Sequence, residues 1–180
     1  MRFLEKHASV DREGILSGCC YDDFTYVLQL GVVAPYMLSS LFMPAFGEGA
    51  AIVNISSTRA FMSQADTESY SAAKGGIAAL TRSLAVSLAG KARVNAISPG
   101  WIDTGAFQDE ERYFPDHSLP DRKQHPAGRV GVPEDIASLA MYLCGPEAGF
   151  ITGQDIPVDG GMTARMIYHD DEGWSFKPLK

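Results

Sequence analysis

With 180 residues, 46% of them hydrophobic and 21% charged, the chain has the size and apolar content of one domain with a real core. A net charge of −7, with no basic cluster, argues against a nucleic-acid face. The start, Met1–His7, has no apolar core of signal-peptide length, and the longest apolar stretches, around Gly31 to Leu38, are too short to cross a bilayer. The chain therefore reads as a soluble, cytoplasmic protein with no membrane partner.

Residues 1–21 form a charged lead without a clear pattern. From Asp22 to about Phe46 the sequence reads as one long helix interrupted at Pro35. Proline lacks an N–H, so the Gly31 carbonyl loses its helical partner and a kink is expected there. Residues 50–56, an apolar run ending in hydroxyls, read as a buried parallel strand entering a loop at 57–67. Residues 68–89 read as a helix with Gly90 as its C-terminal cap, and 92–97 as a second strand. Residues 98–131 read mostly as loop, because Pro115, Pro120 and Pro126 block long regular structure. Pro133 opens a helix running to about Cys144. Gln154–Val158 is a last strand, turned off by Asp159-Gly160-Gly161. This alternation implies a parallel α/β layer fold.

Cys19, Cys20 and Cys144 are odd in number, lack metal-ligand spacing, and read as reduced thiols. His7, His117, His125 and His169 make no zinc pattern and read as surface or loop residues. No metal site is expected.

The chemistry concentrates between Ser57 and Lys74. Tyr70 and Lys74 are four apart on the 68–89 helix, so both side chains lie on one face. An ammonium about 4 Å from a phenolate, at an effective dielectric of about 20, gains about 4 kcal/mol, or about three pKa units. That expectation brings a tyrosine toward neutrality and makes it a general acid–base. A lone Tyr-x-x-x-Lys also arises by chance as a surface pair, and only its context gives it weight.

That context is ordered. Ala51–Ser57 comes first, its Ser57 thirteen residues before Tyr70; then follow Arg93–Ile97, Ser98-Pro99-Gly100-Trp101-Ile102-Asp103-Thr104, Gly128–Ala137, Ile151–Gln154 and Val158–Gly161. Together these resemble the short-chain dehydrogenase/reductase family over about residues 22–163. The resemblance implies a Rossmann-like parallel sheet with flanking helices. It implies that Tyr70 is the catalytic acid/base and also a cofactor-binding residue, that Ser57 holds the substrate oxygen, and that Lys74 tunes the tyrosine and grips the nicotinamide ribose. Pro99, Gly100, Ile102 and Thr104 match the loop that orients the nicotinamide. The implied cofactor is NAD or NADP, not distinguishable here, and the implied partner is a small carbonyl or alcohol substrate. The alternative is a non-catalytic remnant that cannot bind cofactor by itself.

Two departures from the family pattern stand out. The glycine-rich turn and its pyrophosphate-binding helix have no counterpart, since Gly14 and Gly18 follow no apolar strand. The chain is thus expected to be the C-terminal half of a doubly wound domain, with the 51–56 strand left as an uncovered edge. Gly31 also stands where the family usually has an asparagine of the proton relay. Either its freed carbonyl holds a water in that asparagine's place, or the glycine is merely tolerated.

Residues 105–126 are longer than an ordinary connection and are either a substrate lid or disordered; Phe107, Tyr113 and Phe114 give the run an apolar face. Its position directly after the nicotinamide loop favours the lid. Trp101 would sit near the pocket or pack beneath it. Residues 164–180 form a tail that either docks on a neighbouring subunit or frays. The family pairs its long helices between subunits, and the 68–89 helix, apolar on more than one face, is expected at the interface of a homodimer or homotetramer.

Overall fold

A computed structural model describes residues 14–108 and 113–166. Three parallel strands, β1 (Ala51–Ile55), β2 (Arg93–Pro99) and β3 (Asp155–Val158), lie in the order β1-β2-β3. The helix α3 (Glu68–Ser87) covers one face of this sheet and α5 (Pro133–Cys144) the other. The α/β, Rossmann-like expectation holds, and the element bounds fall within two residues of those read from sequence.

The strand period decides which side chain faces which helix. Ile52 and Val94 point to the α3 side, where they join Leu84, Ala85 and Leu88. Val53 and Ile97 point to the α5 side, among Leu143, Ile136 and Leu139. The middle strand is sealed: Val94 to Ser98 are all buried. β1 is the less covered of the two longer strands, with Ile55 49% exposed, in keeping with the edge position expected for 51–56. Among the described residues it has a neighbouring strand on one side only.

Polar bonds lock the layers in register. Asn54 donates to Thr81 Oγ1 at 2.9 Å, a buried link between β1 and α3. Arg93 donates to the carbonyls of Leu143, Gly145 and Ala148 at 2.6, 3.0 and 3.0 Å, closing the C-terminal end of α5 with a cation where the helix dipole favours one.

The helical stretch before β1 is a continuous rod made of α1 (Tyr21–Leu28), a π-helical turn (Gln29–Val33), α2 (Ala34–Phe42) and a 3₁₀ turn (Met43–Ala45). The break expected near Pro35 is this π-helical turn, in which the Ala34 N–H reaches back to the Gln29 carbonyl. By length and composition the 25-residue stretch Tyr21–Ala45 could cross a membrane, contrary to the sequence reading. That reading counted only the uninterrupted apolar run, whereas a helix carries its apolar surface past scattered polar residues. One side of the rod packs on α3; Leu30, Met37 and Leu41, elsewhere on it, are 52%, 56% and 71% exposed.

Gly31 has a packing role that composition could not reveal. A Cβ built there would lie 2.8 Å from Ala73 Cβ, and one at Gly76 would lie 2.8 Å from Val32 Cγ2. The rod and α3 approach most closely where each offers a glycine.

Part of the lead is ordered too. The N–H groups of Leu16 and Ser17 donate to Asp66 Oδ1 at 2.7 and 3.0 Å, and that of Ile15 to Glu68 Oε2 at 3.1 Å. Asp66 pays for this anchor with a left-handed backbone, φ 66°. Within 98–131 the structure adds a 3₁₀ turn at Gly105–Phe107 and a short helix α4 (Leu119–Lys123). The Ser118–Asp121 capping box and Pro120 in the first turn start α4, a signal that outweighs the prolines as breakers. His7, His169 and all of the tail after Met166 lie outside the described residues.

Candidate active site

The sheet's C-terminal edge builds the site, as ligand crevices in parallel sheets do. Where β1 ends, Ser56 N–H continues the ladder to the Ile97 carbonyl at 2.7 Å, and Ser56 Oγ donates to the Lys74 carbonyl at 3.2 Å. This ties the strand end to α3 at the residue whose side chain matters. Ser57 is extended, with φ −164° and ψ 157°, and caps the 3₁₀ turn Thr58–Ala60 by accepting the Arg59 N–H at 3.1 Å. Its hydroxyl proton remains available to donate.

Tyr70 lies in the first turn of α3 and Lys74 one turn later. The Lys74 ammonium sits 5.4 Å from the Tyr70 ring centroid and donates to the Ile55 carbonyl at 3.0 Å. Burial pushes the Lys74 pKa down from its ordinary value. Its protein acceptor is thus the end of β1; the Gly31 position meets Ala73, the residue before it.

The second wall comes from the segment after β2. Gly100 N–H donates to the Val158 carbonyl at 3.0 Å, and a Cβ on Gly100 would lie 2.7 Å from Asp159 Cβ, so only glycine lets the two turns pass. Asp159 holds its own turn by accepting from the N–H groups of Gly161 and Thr163 and from the Thr163 hydroxyl. Trp101 to Asp103 then runs alongside Gly131 through a parallel bridge at Ile102. Thr104 Oγ1 accepts from Gln108 Nε2 at 2.8 Å.

All seven residues singled out from sequence, Ser57, Tyr70, Lys74, Pro99, Gly100, Ile102 and Thr104, line one cleft of about 610 Å³. Sequence reasoning missed its opposite wall, Pro133, Ile136, Ala137 and Ala140 of α5. Their spacing marks one helix face, but that face reads equally as core. Trp101 also lines the cleft, settling one of the two places open to it. His117 and His125 are not idle surface groups. His117 Nε2 lies 2.6 Å from Asp103 Oδ2, and His125 is buried with Nδ1 3.0 Å from the Asp121 carbonyl.

Comparison with known proteins bears on the family and the fold. A family model described as enoyl-(acyl carrier protein) reductase matches residues 4–163. An uncharacterized oxidoreductase of Thermotoga maritima is 49% identical over 154 residues, covering 83% of this chain and 60% of the relative. An apo SCOR enzyme from Clostridium thermocellum superposes with a TM-score of 0.80 at 45% identity, covering 93% of this chain and 64% of that one. A 4-hydroxyisoleucine dehydrogenase complexed with NADH superposes at 0.72 with 31% identity, covering 86% of this chain and 65% of that one. The chain thus spans about three-fifths of the length of these proteins. From the matched span, the parallel sheet and the order of its motifs, the chain belongs to the short-chain dehydrogenase/reductase family.

Proposed function

We propose that the cleft is the active site of an NAD(P)-dependent oxidoreductase interconverting a carbonyl and an alcohol. The observation that carries this reading is the convergence of Ser57, Tyr70, Lys74 and the 99–104 segment on one cleft, from three separate elements. The cleft's volume falls in the usual range for small-ligand and cofactor sites. It offers a hydroxyl, a phenol and an ammonium on one side and apolar Ile102, Ile136 and Ala140 on the other, a donor set that fits a nicotinamide ribose beside a small substrate. When bound, the nicotinamide supplies or takes the hydride.

Ser57 donates its free O–H to the substrate oxygen and fixes its position. Tyr70 gives that oxygen a proton in the reducing direction and takes it back in the oxidising one. The Lys74 ammonium, held by the Ile55 carbonyl, stabilises negative charge developing on the phenol and keeps donors to spare for ribose hydroxyls. Pro99, Gly100, Ile102 and Thr104 hold the nicotinamide side, and the described residues of the 105–126 run act as the substrate lid. The 68–89 helix, expected from sequence at a subunit interface, packs on the sheet and on the rod of its own chain. The surface read as covered by a second copy, in a homodimer or homotetramer of a cytoplasmic protein, is therefore the exposed apolar side of the 21–45 rod.

A second reading, a non-catalytic member of the family, is favoured by Gly31. Packed against Ala73, it leaves no room for the asparagine that the resemblance implies. NADH deuterated at its transferable position separates the two readings. With a panel of ketones and keto acids, label in the product alcohol is expected; a complete absence of transfer across the panel would favour the non-catalytic reading.

A further inference from the structure

Directly behind the nicotinamide segment is a polar cluster that the proposed chemistry does not use. Ile102 and Thr104 line the cleft; Asp103, between them, does not. An extended backbone sends alternate side chains to opposite sides. Asp103 is a fixed post, because its N–H donates to the Gly131 carbonyl at 2.9 Å and Gly131 N–H donates to the Trp101 carbonyl at 3.1 Å. Its carboxylate gathers three groups from the chain that follows. Oδ1 accepts the Gly105 N–H at 2.9 Å; Oδ2 accepts the Tyr113 hydroxyl and meets His117 Nε2 at 2.6 Å.

The ring of Tyr113 lies directly on the Gly105 backbone, where a Cβ would collide with it. The ring of His117 stands edge-on to Trp101, centroids 5.8 Å apart at 72°. Trp101 is a wall of the cleft. One carboxylate therefore joins the segment around Tyr113 and His117 to the back of a substrate-side wall. These contacts also hold the Asp103 carboxyl below its ordinary pKa, the Tyr113 hydroxyl first and the Gly105 N–H next. The residue is thus charged, and both of its oxygens are engaged.

We propose that Asp103 is a positioning residue for substrate binding: it clamps the Tyr113–His117 segment onto the nicotinamide loop and so fixes Trp101 at the cleft. It touches neither cofactor nor substrate. The clamp itself is independent of the chemistry; only its kinetic consequence rests on the proposed function.

The test has a structural and a kinetic arm. Asp103→Ala removes every carboxylate bond at once and keeps the backbone bond to Gly131. The double variant Tyr113→Phe/His117→Phe leaves Asp103 in place and removes both hydrogen-bonding partners while keeping a ring against Trp101, so it answers even if Asp103→Ala fails to fold. Asp103→Asn has one carbonyl oxygen, enough for Tyr113 and His117 but not also for Gly105, and should fall between wild type and Asp103→Ala. Amide hydrogen exchange over residues 113–118 is expected to quicken about tenfold or more in Asp103→Ala and in the double variant, with β2 unchanged. In the NADH-linked ketone assay the substrate KM is expected to rise about fivefold or more, while kcat in the double variant stays within about twofold. A purely structural role would lower kcat and the amount of folded enzyme without this split. Unchanged exchange over 113–118 overturns the clamp, whether or not any ketone is turned over. Faster exchange with an unchanged substrate KM overturns its role in positioning.

Discussion

Replacing Gly31 by alanine sets two effects of opposite sign against each other. In a helix, Gly→Ala is worth about 1 kcal/mol in stability through propensity alone. The new Cβ, however, would lie 2.8 Å from Ala73 Cβ, where ordinary contact begins at 3.4 Å. The atom it meets is fixed to a helix and cannot swing aside, so α3 or the rod must back away. Overpacking of this kind costs about 1–3 kcal/mol. The net expectation for Gly31→Ala is a loss of about 1 kcal/mol, or about half a molar in urea midpoint. Ala73→Gly should rescue it, since the next atom, Ala73 Cα, is 3.8 Å away. In the double variant the two propensity changes cancel, leaving a coupling of about 2 kcal/mol in the mutant cycle. Lys74 follows Ala73, so the single variant should also lose turnover by displacing the ammonium from the Ile55 carbonyl. A Gly31→Ala protein more stable than wild type by about 1 kcal/mol, the propensity value alone, would refute the close-approach reasoning.

Lys74→Met should abolish turnover yet raise the urea midpoint at neutral pH. Burial lowers the lysine's pKa, so its charge costs stability below that pKa and the cost fades as pH rises toward 10.5; a clear loss of stability in the variant would contradict this. Asp135, gripped by Arg129 and by the Val132 N–H, is held down to about 2 from 3.8. Its stabilisation is present above the higher value and lost as pH falls through the lower, so Asp135→Asn should flatten the acid limb of the stability curve between them. An unchanged limb would place the pair's contribution at nothing. The exposed apolar side of the 21–45 rod predicts a homodimer or homotetramer in light scattering at micromolar protein, with Leu41→Lys shifting it toward monomer. A wild-type monomer would count against the covered face.

Much of the fold was legible because its signals are local. Pro133 opens a helix where its missing N–H costs nothing, and Asp159-Gly160-Gly161 turns the last strand off with two glycines at positive φ. Tyr70 and Lys74 were legible as a pair because they share a helix face; Ser57, Pro99, Gly100, Ile102 and Thr104 came only from the family resemblance, and the fold brings all seven to one cleft. What stayed hidden depends on partners far away in the chain. Arg93 closes a helix end fifty residues on, and nothing beside it in sequence says so. His117 and His125 read as loop residues because Asp103 and the buried face of Trp101 find them only in three dimensions. Gly31 read as an absent asparagine, when its form is set by the Cβ of Ala73.

The central claim is that Tyr70 gives and takes the proton in this cleft. Its most direct test is a comparison of wild type with Tyr70→Phe in reduced-nicotinamide consumption against a reducible ketone, at saturating cofactor. The phenyl ring keeps the packing and removes only the hydroxyl. Turnover is predicted to fall at least about a hundredfold, the usual size of a general acid–base contribution. Near-normal turnover in Tyr70→Phe would contradict the account.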